Sequence, residues 1–115
     1  MTSTYLQLKD DVDASLLTEE FWAGVWKIRD VYRALHYPCI VTSFRDSAHM
    51  EGSLHPKGRA GDFRTKHVSR TDLVPLVELV KLALGPDWDV VLERVDQTGE
   101  HLHTEYQPKM KGGDV

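Results

Sequence analysis

The sequence predicts a small α+β domain, a mostly antiparallel sheet with two main helices packed on one of its faces. Three observations carry this. Two amphipathic helical periodicities alternate with short β-like runs, and each helix is opened by a capping residue and closed by proline or glycine. The last two runs are joined by a short polar turn, the mark of an antiparallel hairpin. No repeat or low-complexity segment interrupts the 115 residues, so one domain covering 1–115 is expected.

The first helix is predicted over residues 18 to about 36. Phe21, Val25, Ile28, Tyr32 and Leu35 recur at three- and four-residue steps, and Trp22 and Trp26 widen the stripe. Thr18 is the expected N-cap, and Glu19 and Glu20 suit the positive end of the helix dipole. Tyr37-Pro38 ends the helix, because the residue before proline avoids helical angles.

Residues 39–41 read as a strand, and 60–64 as a second one after a polar loop. A second helix is expected over 69–84, capped by Ser69, with Pro75 tolerated in its first turn and Gly85-Pro86 as its stop. Leu73, Leu76, Val77, Val80 and Leu84 form its buried face. Trp88, Val90 and Leu92 alternate along a third strand over 87–93, and residues 102–106 return as a fourth.

Bulk properties remove several function classes. A net charge of -4 with scattered Lys and Arg argues against a nucleic-acid binder and against a polybasic membrane patch. No segment approaches the ~20 apolar residues of a membrane span. The opening M-T-S-T-Y-L-Q-L-K-D-D has no apolar stretch like a signal peptide, so a cytoplasmic product is expected and any role outside the cell needs another export route. Cys39 is the single cysteine and, set between Pro38 and Ile40-Val41, reads as a small buried hydrophobe.

The chemistry concentrates in two stretches. S-L-H-P-K-G-R-A-G-D at 53–62 places His55 and Asp62 seven residues apart, with Pro56, Gly58 and Gly61 between them. Those residues disfavour a helix, and a turn running into a strand would fold Asp62 back towards His55. The second stretch is E-H-L-H-T-E at 100–105, where alternation puts His101, His103 and Glu105 on one strand face. Catalytic zinc sites commonly take three ligands from His and carboxylate and keep one position open. His55, Asp62 and one of the strand histidines would supply such a set, and a nearby carboxylate would serve as base for the attacking water.

The stretch 53–62 also resembles a known family. It matches S-x-H-x-x-G-x-A-x-D at every fixed position, the pattern of zinc peptidases of the D-Ala-D-Ala carboxypeptidase and L-alanyl-D-glutamate endopeptidase family. Phage endolysins and the zinc-containing domain of hedgehog proteins share that fold. The resemblance implies that His55, Asp62 and His103 are the zinc ligands. It implies that Glu100, three residues before His103, is the general base, with Glu93 as the rival placed nearer to where hedgehog-like members carry theirs. T-S-F-R at 42–45 is similar to a family segment whose arginine holds substrate, which gives Arg45 the task of polarising the scissile carbonyl. Ser53 is expected to hydrogen-bond beside the ligands and His101 to contact substrate. The implied activity is zinc-dependent hydrolysis of a peptidoglycan stem-peptide bond, as in a phage or prophage lytic protein reaching the cell wall. The alternative is a non-catalytic zinc module of hedgehog-like fold that contacts another protein.

Overall fold

The computed structural model describes residues 6–14, 17–44 and 59–108. Along the chain these form β1 (Leu6–Leu8), α1 (Glu19–Ala34), β2 (Cys39–Ser43), β3 (Ala60–Arg64), α2 (Arg70–Leu84), β4 (Trp88–Glu93) and β5 (His101–Tyr106). The α+β class is as the sequence predicts. No helix among the described residues is long and apolar enough to cross a membrane.

Thr18 caps α1 by accepting a hydrogen bond from the Phe21 amide at 3.1 Å. Phe21, Val25, Ile28 and Tyr32 form its fully buried stripe. Gly24 lies in that stripe for a steric reason: a Cβ there would run into the indole of Trp88. The two tryptophans of the helix belong to its edge instead of the core. Trp26 is about half exposed, with the Arg29 guanidinium 5.1 Å from its ring centroid. Beyond α1 the chain reverses through His36, at a φ of 70°.

Ser69 caps α2 by accepting from the Asp72 amide at 3.2 Å. Asp72 in turn accepts from the Tyr37 hydroxyl at 2.7 Å, which ties the start of α2 to the end of α1. Pro75 lies past the first turn, as the sixth helical residue, so α2 forgoes the bond that amide would make to the Thr71 carbonyl. Gly85, at a φ of 87°, closes the helix.

The five strands run in the order β1-β2-β3-β5-β4. Three pairings are antiparallel, including the expected β4–β5 hairpin. The fourth, β1 with β2, is parallel and was not predicted. Val41, Phe63, Val90 and Leu102 point from the sheet to both helices and share one core with Phe21, Ile28, Leu76 and Val80. Cys39 is buried in that core, and burial pushes its thiol pKa far up. The helices thereby cover one sheet face, and among the described residues no helix covers the other.

Candidate metal centre

Side chains alternate across a strand, so the residues next to Phe63, Leu102 and Val90 turn to the face away from the helices. On β3 these are Asp62 and Arg64, on β5 they are His101, His103 and Glu105, and on β4 they include Val91 and Glu93. Register then aligns them. Asp62 lies opposite His103, while His101 faces Arg64 on one side and Glu93 on the other.

The side chains converge. Asp62 Oδ1 is 2.7 Å from His103 Nδ1 and 3.7 Å from His101 Nε2. One ligand atom from each of Asp62, His101 and His103 lies within 4.8 Å of the others. Beneath Asp62 the strand is held close to the core. A Cβ on Gly61 would come within 2.9 Å of the Phe44 ring and 3.0 Å of Phe21, so this position is limited to glycine.

His103 is gripped at both nitrogens, with Glu105 Oε1 2.6 Å from its Nε2 and Asp62 at its Nδ1. Gln107 donates to the second Glu105 oxygen at 2.6 Å and fixes that carboxylate. Burial alone would lower the His103 pKa. Hydrogen bonds to the two carboxylates, together with their charges, outweigh it and raise the value to about 9. Only the doubly protonated ring can donate to both.

His101 places Nε2 2.8 Å from Glu93 Oε1 and Nδ1 2.7 Å from the Gly99 carbonyl. One carboxylate and two imidazoles suit a divalent ion of borderline softness. In such a set His103 would bind through Nδ1, with Glu105 accepting the Nε2 proton, the carboxylate–histidine arrangement that commonly orients a metal-bound imidazole.

The structure therefore brings together Asp62, His103, His101 and Glu93 from the expected site. His55, Arg45 and Ser53 lie outside the described residues. Glu100 is not brought to the group, because it turns to the helix side of the sheet. There its carboxylate accepts from Thr65 Oγ1 at 2.6 Å, from Arg70 Nη1 at 2.8 Å and from the Asp96 amide at 2.8 Å. The Arg70 hydrogen bond comes first among the causes that hold its pKa down, against the opposing effect of burial, to about 2. The orienting pair Glu105–Gln107 was not assigned a role from sequence, although the alternation of H-L-H-T-E already puts Glu105 beside His103.

No protein-family model matches the chain, and no curated protein matches it at a significant level.

Proposed function

We propose that the protein is a zinc-dependent peptidase acting on the stem peptide of peptidoglycan, with its site on the sheet face away from the helices. The observation that carries this is the convergence of Asp62, His101 and His103 within 4.8 Å beside a further carboxylate, Glu93. Asp62 and His103 would hold the ion, completed by His101 or by His55 of the motif at 53–62. Zinc, when bound by such ligands, supplies Lewis acidity towards a carbonyl and a water nucleophile near neutral pH.

The chain's own groups supply the proton chemistry. Glu93 Oε1, beside His101, is the candidate acceptor for the proton of the attacking water, and its exposed carboxylate can pass that proton to the leaving amine. Glu105 and Gln107 keep the His103 ring in one orientation, so the site need not reorganise when substrate arrives.

A second reading has its own observation. Glu100, the base by motif, is engaged by Arg70, Thr65 and the Asp96 amide, which favours a module that binds zinc without hydrolysis. One experiment separates the two. Purified protein with its zinc content measured is incubated with peptidoglycan, and fragments are identified by mass spectrometry. The peptidase reading expects about one zinc per chain, a new peptide terminus, and a loss of at least 100-fold in rate for Glu93→Gln at unchanged zinc content. Stoichiometric zinc without cleavage favours the binding module, and absence of zinc removes both.

A further inference from the structure

Next to the acidic and histidine group, the same end of the sheet carries a cleft of opposite sign. Lys9, Thr42, Arg64 and Lys66 line about 240 Å³, closed by Gly99 and Glu100. Three cations gather here in a chain whose net charge is -4. The one carboxylate in its wall, Glu100, has a fully buried side chain engaged by Arg70 at 2.8 Å and turned to the helix side, and does not neutralise them. Lys9 makes only a loose exposed pair with Asp11 at 3.7 Å, and Lys66 donates to the Gln97 carbonyl at 3.4 Å. Among the described residues no carboxylate lies within ion-pair distance of Arg64 or Lys66.

Register fixes where this cleft sits. Arg64 lies directly across from His101 and two residues along β3 from Asp62, on the same face. At ~3.3 Å per strand residue, that puts Arg64 roughly 7 Å from the metal ligand. An extended peptide crossing the site advances by a similar step per residue. A group reaching the cleft therefore belongs to a residue within about two positions of the bond being cut.

We infer that this cleft receives a carboxylate of the peptide substrate, with Arg64 as its principal partner and Lys66 and Lys9 adding charge. The assignment rests on the peptidase reading above. A guanidinium with no carboxylate partner among the described residues is suited to two-pronged carboxylate binding, and a low-charge or cationic peptide gains nothing from it. The carboxylate has two sources in a stem peptide: the free C-terminus, or the α-carboxylate of a γ-linked D-glutamyl residue.

The test uses the full chain stripped of metal, so that nothing is hydrolysed during titration. The probe is the tetrapeptide L-Ala-γ-D-Glu-L-Lys-D-Ala in three forms: both carboxylates free, C-terminus amidated, and glutamyl α-carboxylate amidated. Calorimetry should show that one amidation weakens binding about tenfold or more, and the form that does so names the source. Arg64→Gln should weaken the free acid by the same factor and leave that amide unchanged, with Arg64→Lys recovering part of the loss. In zinc-loaded protein the same variant should raise KM about tenfold with kcat unchanged. Equal affinity of wild type and Arg64→Gln for the free acid overturns the cleft assignment, and so does cleavage with an unaltered KM. If no form binds to stripped or zinc-loaded protein, the peptidase reading itself fails and this inference falls with it.

Discussion

At the scale of single residues, His103 controls the site. Its two nitrogens face Asp62 and Glu105, and its pKa stands near 9, so at neutral pH a proton occupies the position through which the proposed zinc would bind. Zinc affinity should therefore rise about tenfold per pH unit until pH approaches about 9, and flatten above it. The sign follows from linkage, since metal uptake expels one proton and a falling proton concentration favours it. Glu105→Gln should weaken zinc by about 10- to 100-fold and move the break to lower pH, with far-UV dichroism unchanged. Competition with a chromophoric chelator across pH measures both. Glu100 shows what spacing alone leaves open here. On a strand, an odd separation sends two side chains to opposite faces, and Glu100 precedes His103 by three residues. The even separation of His101, His103 and Glu105 was legible for the same reason.

Among elements, the turn between β4 and β5 is fastened to the start of α2 through Glu100. Its carboxylate collects Thr65, Arg70 and the Asp96 amide, while Asp96 itself holds a φ of 61°. Glu100 has a pKa of about 2 in the fold against an ordinary 4.5. Its contribution to stability is complete above about pH 4.5 and is lost as pH falls through about 2. Glu100→Gln should cost about 1–3 kcal/mol at pH 7, since Thr65 and the Asp96 amide lose a charged acceptor. The variant should also flatten the acid limb of the stability curve, as read from urea unfolding between pH 7 and 2. Arg70 is half exposed, which keeps the expected cost at the lower end of what a buried pair gives. The helices were legible because capping and periodicity are local. β1 was not: three residues reading L-Q-L become a strand only by pairing with β2, over thirty positions away.

For the whole molecule, the sheet separates the apolar core on its helix side from the Asp62, His101 and His103 group on its other face. The core of Phe21, Ile28, Phe63, Leu76 and Leu102 lies on the helix side, and the β3–β5 ladder places Asp62 opposite His103. Chelation should leave helical dichroism at 25 °C intact and lower Tm only by the binding linkage, about 3 kcal/mol of stability at zinc a hundredfold above Kd. Collapse of the fold on chelation would mean that the ion organises the strands. The layered class was readable from hydrophobic pattern, and the small Ala60-Gly61 pair signals close packing, whereas nothing local in R-A-G-D says which rings lie beneath Gly61.

That glycine has a consequence for how the sequence can change over time. Asp62 on one side and the Phe44 and Phe21 rings on the other share a backbone with no spare room between them. A substitution that enlarges the core there displaces the strand and with it the Asp62 carboxylate. Drift in the interior is thus constrained by the placement of Asp62 opposite His103, and drift at Asp62 by the packing beneath it.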